Sequence, residues 1–121
     1  MSFNYHDKFF RPVSNSENGE TGSETIFHYR QQGNIVWATY QGGEVLLGTL
    51  LAKVDEEGRL DMRYQQVNRR GEWRTGTCRS VPQELEDGRY RLNESWQWTS
   101  GDGSSGRSVI EEVREIKVKE D

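Results

Sequence analysis

Cysteine, histidine and proline are all scarce in this chain: one Cys, two His and two Pro among 121 residues. Each scarcity excludes something. A single thiol, Cys78, cannot close an internal disulfide and favours a reducing compartment. His6 and His28 form no H-x-x-x-H pair and there is no C-x-x-C, so the common zinc spacings are missing. No G-x-S-x-G accompanies either histidine, so a hydrolytic triad would lack its nucleophile elbow. Long apolar runs are also missing. The longest, Val45 to Val54, is interrupted by Gly48, Thr49 and Lys53, far short of the ~18–20 residues of a membrane helix. The opening MSFNYHDKFF lacks the apolar centre of a signal peptide. Together these features predict a cytoplasmic protein with no metal, no cofactor and no membrane partner.

The apolar fraction is low, 31% against 30% charged. A thick multilayer core is excluded, whereas a thin wall of strands, each apolar on one face, suits the balance. The length fits one domain. A net charge of −4 argues against a nucleic-acid partner. One stretch runs against that sign: Arg59, Arg63, Arg69, Arg70, Arg74 and Arg79 against Asp61 and Glu72. It is either the solvated outer face of two strands or a patch for an anion.

What is present is a regular alternation of aromatic and β-branched runs with glycine-bearing turns, the pattern of successive hairpins. Turns are expected at Asn18-Gly19, Gln32-Gly33-Asn34, Gly42-Gly43, Asp55 to Gly58, Arg70-Gly71, Asp87-Gly88 and Gly101 to Gly106. Between them about eight strands are predicted, at 9–15, 24–31, 34–41, 44–54, 59–67, 73–80, 89–98 and 107–118. The last also shows helical spacing at Val109, Val113 and Ile116, so strand and helix both remain open there. Pro12 and Pro82 are expected at strand edges or in a connection. Every connection is too short for a parallel crossover. An all-β, antiparallel up-and-down barrel follows, closing so that no edge is exposed. Residues 1–8 are assigned to a flexible lead-in, 9–118 to the barrel and 119–121 to a tail.

A weak internal echo supports the meander. Gly43-Glu44 with Gly48-Thr49 matches Gly71-Glu72 with Gly76-Thr77, and Tyr40 and Tyr64 precede the two units. Glycine inside a strand marks a bend or bulge, so Gly48 and Gly76 are expected to let two strands curl at equivalent points.

Period-two alternation sorts the side chains into faces. Leu60, Met62 and Tyr64 share one face, as do Tyr90, Leu92, Trp96 and Trp98. Glu94 falls on that apolar face, where an unpaired carboxylate costs several kcal/mol. It either meets an arginine, escapes to solvent at a bulge, or serves a site with its pKa raised. Cys78 is expected to be an idle structural thiol. The Gly101-Asp102-Gly103-Ser104-Ser105-Gly106 segment lacks a P-loop lysine and is either a flexible hairpin loop or a lid over a barrel mouth.

Several segments together resemble a known family. They are Asn15-Ser16-Glu17-Asn18-Gly19-Glu20, Thr25-Ile26-Phe27-His28-Tyr29, Tyr40-Gln41-Gly42-Gly43, Gly48-Thr49-Leu50, and Glu94-Ser95-Trp96-Gln97-Trp98 through Gly106. They are similar to a family of small, mostly bacterial, calycin-like barrels of unknown function, in the broad group of lipocalins, fatty-acid-binding proteins and avidins. The resemblance spans roughly residues 9 to 117 and implies the same barrel. No ligand contact of any calycin is carried over to a position of this chain. Members of this group are sometimes labelled N-acetylglutamate synthase, an activity the residues argue against. Acetyl-CoA turns of the R/Q-x-x-G-x-G/A kind lead into a helix, whereas Arg30-Gln31-Gln32-Gly33-Asn34-Ile35 ends in Ile inside a hairpin.

Three functions remain. The first is non-enzymatic binding of a small, partly apolar ligand, with Trp37, Tyr40, Met62, Tyr64, Tyr90, Glu94, Trp96 and Trp98 as candidate lining residues. The second is a filled barrel acting through its surface, as an oligomer or partner-binding unit. The third is an enzyme with Glu94 as general acid or base, which requires a second titratable group beside it. A cavity of ~300 Å³ or more favours the first, and a solid interior the second.

Overall fold

A computed structural model describes residues 3–114. Eight antiparallel strands close into a barrel in sequence order. They are β1 (Lys8–Asn15), β2 (Ile26–Gln32), β3 (Ile35–Gly42), β4 (Val45–Val54), β5 (Leu60–Asn68), β6 (Trp73–Glu84), β7 (Tyr90–Trp98) and β8 (Ser105–Val113). The all-β, up-and-down barrel expected from the sequence is therefore the fold. The described part of the last segment is strand through Val113, while the expected positions 115–118 and the tail 119–121 lie outside the described residues.

Alternation places every second residue inside. The fully buried set includes Phe10, Tyr29, Val36, Val45, Leu60, Met62, Ser80, Leu92 and Ile110, drawn from all eight strands. Both prolines occupy stretches paired on one side only. Pro12 faces Ile110 of β8 beyond the point where β1 leaves β2 at Phe10. Pro82 faces Leu92 of β7 beyond the last β5 partner, Ser80. A missing N–H breaks no ladder at either place.

The barrel has two unlike ends. One is plugged by the chain's own start. Tyr5 lies within the stretch assigned to a flexible lead-in, yet it is fully buried and its hydroxyl donates to the Gly58 carbonyl at 2.5 Å. Phe3 packs edge-on against Tyr90 at 5.1 Å between ring centroids. Residues 3–7 thus belong to the barrel's closure. The other end carries the β1–β2, β3–β4, β5–β6 and β7–β8 connections and forms a mouth.

The sequence echo has a steric cause. Tyr40 pairs across to Gly48, and Tyr64 across to Gly76. A Cβ on Gly48 would sit 2.2 Å from the Tyr40 ring, and one on Gly76 would sit 2.3 Å from the Tyr64 ring. Trp96 repeats the arrangement over Gly106, at 2.4 Å. Each of three hairpins therefore folds an inward aromatic flat over a glycine on the next strand. The glycines were expected to let strands curl; what they visibly provide is floor space for rings.

Gly48→Ala and Gly76→Ala should each destabilise the barrel by roughly 1–3 kcal/mol through overpacking. Gly22, whose added Cβ meets nothing within 4 Å, should tolerate Ala. Urea denaturation of the three variants checks this; equal losses at Gly22 and Gly48 would refute the ring-floor account.

Candidate functional site

The inward residues of β3 to β8 near the mouth surround a cavity of about 50 Å³. Tyr40, Leu50, Met62, Tyr64, Trp96 and Trp98 supply its apolar wall, and Glu94 and Ser108 its polar one. Six of the eight candidate residues thus meet in one place: Tyr40, Met62, Tyr64, Glu94, Trp96 and Trp98. Two do not. Trp37 alternates with buried Val36 and Ala38, so it is turned to the outer face of β3, opposite Leu51. Tyr90 has inward parity but sits at the start of β7, at the plugged end, where its ring meets Tyr5 and Phe3.

Glu94 neither escapes to water nor pairs with an arginine. The Ser108 hydroxyl donates to it at 2.9 Å. Ser80 and Ser108 are its direct cross-strand neighbours, forming a polar stripe over β6, β7 and β8. Burial disfavours the charged carboxylate and pushes its pKa up to about 7, with the two serine hydroxyls opposing the rise. Ser80 Oγ nevertheless lacks the geometry of a formed hydrogen bond, and the buried Tyr29 hydroxyl also lacks a partner. The surface Glu94 retains borders the cavity. Of these, Glu94 and the Ser80 hydroxyl belong to the stripe beside the cavity, whereas Tyr29 packs with Tyr5 and Phe10 toward the plugged end.

The neighbouring titratable groups do not share this poise. Burial, and then the Glu94 charge, drives the Cys78 thiol well above its ordinary range, so it stays protonated and unreactive. Burial likewise raises Tyr40 and Tyr64. Among the described residues no cluster of His, Cys, Asp and Glu is arranged to hold a metal ion.

The mouth is crossed by a strap, residues 16–22 of the β1–β2 connection. Ser16 is tied to Arg107 of β8 through two backbone-anchored bonds of 2.9 and 2.8 Å. The Trp98 indole N–H donates to the Asn18 carbonyl at 3.0 Å, and Asn18 Nδ2 donates to Ser104 Oγ at 2.9 Å. The glycine-serine loop is therefore rim that anchors the strap, and the strap itself covers the opening. Glu20 points inward from it, its side chain only 9% exposed. Gln66 Nε2 and Asn68 Nδ2 donate to its two oxygens at 2.7 and 2.8 Å, and Arg74 Nη1 lies 3.4 Å away. Arg74 in turn stacks on Trp98, 4.0 Å from the ring.

The arginine-rich stretch is mostly outer face. Arg59 pairs with Asp55, Arg63 with Asp61 and Arg70 with Glu72, all exposed and each worth little. Of the six, Arg74 is the one largely buried at the mouth, and exposed Arg70 also reaches the Glu20 carboxylate, its Nη2 3.8 Å from Oε2. Sequence reasoning missed Glu20, Gln66, Asn68 and Arg74 as one cluster. Gln66 and Asn68 share the inward parity of Tyr64 and were within reach of it; Glu20 stands in a loop without periodicity.

These features define a class: a small, closed, eight-stranded antiparallel barrel with one plugged end and an aromatic cavity at the other. The family model for avidin-like proteins matches residues 3–113, and the chain belongs to that family. No curated protein and no solved structure matches.

Glu94 gives a pH signature. Its native pKa exceeds the unfolded value, so the folded state holds a proton that the unfolded chain releases between pH ~4.5 and ~7. Stability from this group is therefore highest below pH ~4.5, falls through the window and levels off above it. Glu94→Gln should gain on the order of 2–3 kcal/mol over the parent at pH 8, with most of the gain gone at pH 5. Denaturant midpoints at both pH values read this out. A gain independent of pH would contradict a buried, proton-holding carboxyl.

Proposed function

We propose that this protein is a non-enzymatic binder that takes a small, partly apolar ligand into the mouth half of the barrel. The observation that carries the reading is Glu94. It is a half-buried carboxyl on the cavity wall, with no cation against it among the described residues, flanked by Ser108, which donates to it, and by Ser80, whose hydroxyl has no partner. An unsatisfied buried polar group costs ~1–3 kcal/mol, so the stripe is poised to gain from a donor on a ligand. Tyr64, Trp96 and Trp98 offer flat apolar surface beside it. An N–H or O–H donor attached to an apolar body matches both.

The enzyme alternative loses support. The lining thiol and phenols are all raised away from neutrality, so Glu94 has no second proton-transferring partner among them.

Cavity size limits the ligand. About 50 Å³ holds roughly three to five waters at ~10–15 Å³ each. Typical ligand pockets run ~300–1,000 Å³. A ligand larger than a few atoms therefore enters only as the strap moves. The same small volume favours the second reading, a filled barrel acting through its surface. That reading also has an exposed row to recommend it: Leu47, Val67 and Trp73 stand in cross-strand register outside β4, β5 and β6, with Leu47 54% and Trp73 68% exposed.

Tryptophan emission titrated with small apolar amines and amides separates the two. Binding predicts a saturable change that weakens at least about tenfold in Glu94→Gln. No saturable change with any of them, together with self-association abolished by Trp73→Ser, would favour the surface reading.

A further inference from the structure

Glu20 sits in a receptor that is organised without it. Tyr40 donates its hydroxyl to Gln66 Oε1 at 2.8 Å, which leaves the Gln66 amide N–H groups facing the mouth. Asn68 Oδ1 accepts the Arg70 and Glu72 backbone N–H groups, both at 3.0 Å, which turns Asn68 Nδ2 the same way. Gln66 and Asn68 are 2% and 1% exposed and fixed on β5. Arg74 is held against Trp98, and its Nε is buried without a partner. Two oriented amides and a guanidinium with one edge unused make a ready anion site, since a guanidinium engages a carboxylate best through two parallel N–H bonds.

The occupant, by contrast, belongs to no strand. β1 leaves β2 at Phe10 and ends at Asn15, and Glu20 hangs from the strap beyond it. The strap lies close over Asn15 because position 19 is glycine; a Cβ there would fall 2.3 Å from the Asn15 amide. If the strap lifted with nothing taking its place, Gln66 Nε2 and Arg74 would lose their carboxylate acceptor inside a largely buried pocket, and Asn68 Nδ2 would keep only Glu72 Oε1, at 2.9 Å. An unmatched set of that kind is costly. Opening is therefore coupled to arrival of another anion.

We propose that the Gln66–Asn68–Arg74 cradle is a carboxylate subsite, occupied by the chain's own Glu20 in the unliganded barrel and taken over by a ligand's carboxylate as the strap leaves the mouth. The ligand class is then an apolar molecule with one carboxylate, its anionic end at the rim and its body directed past Trp98 toward Glu94. The cradle stands on its own geometry; only the placement of the apolar body rests on the proposed function above.

Glu20→Ala tests it. Thermal unfolding at constant ionic strength should show the variant melting below the parent. Acetate should raise its melting temperature by about 3 °C or more, while acetamide leaves it unchanged and neither affects the parent. 4-Phenylbutyrate should produce the same shift at an at least tenfold lower concentration, with a change in tryptophan emission. Equal effects of acetate and acetamide, or none from any carboxylate, would overturn the subsite. Rescue by acetate with no advantage for 4-phenylbutyrate would uphold the subsite and sink interior binding. Should Glu20→Ala fail to fold, the isosteric Glu20→Gln serves: it should bind 4-phenylbutyrate at least tenfold more tightly than the parent, and adding Arg74→Met should erase the preference over 4-phenylbutanamide. Equal affinity of Glu20→Gln and the parent would refute the proposal.

Discussion

Closure of eight strands fixes the interior volume, and everything else in this barrel follows from sharing it out. Such a barrel is just wide enough for its own side chains or for one small guest. Here the inward positions carry several tyrosines and tryptophans, too many to stand side by side at full height. Glycine across the strand pair is the solution: Tyr40 over Gly48, Tyr64 over Gly76 and Trp96 over Gly106 lie down instead of standing up. The flattened rings leave a small void near the mouth. The plugged end is filled by Tyr5, Tyr29 and Phe10, and its one ring over glycine, Phe3 over Gly58, rests on a turn and not on a paired strand.

Within that void the polar groups fall into two layers. The deeper one, Ser80–Glu94–Ser108, is held in register by three adjacent strands and contains no cation. The upper one, Gln66, Asn68 and Arg74, is cationic and already matched to a carboxylate from the strap. Below lies a carboxyl that burial holds partly protonated near neutral pH, and above it an anion compensated by its cradle. It is a division of charge by depth, and it gives the cavity a chemical direction from rim to floor.

Much of this was legible in the sequence, because alternation is a rigid code once strands are located. The eight strands and most of their limits could be read from turn glycines and period two. The same code placed Met62, Tyr64, Glu94, Trp96 and Trp98 inside. Trp37 was assigned inward beside Tyr40, yet the two are three residues apart on one strand and so must face opposite ways. Tyr90 shows a second limit: parity gives the face and not the height. Because strand directions alternate, the start of β7 and the end of β7 lie at opposite ends of the barrel, which separates Tyr90 from Trp98. The strap carried no such code, since a connecting segment's path depends on what it meets at the rim.

The seam between β1 and β2 joins only three residue pairs, Lys8 to Phe10, where the other seams join six to nine. Above Phe10 the two strands part, and the gap opens toward the strap. A cylinder with one short stitch line has a preferred place to widen. Its circumference can grow there without any ladder bond being broken, much as a cuff opens at an unbuttoned slit while the weave stays intact.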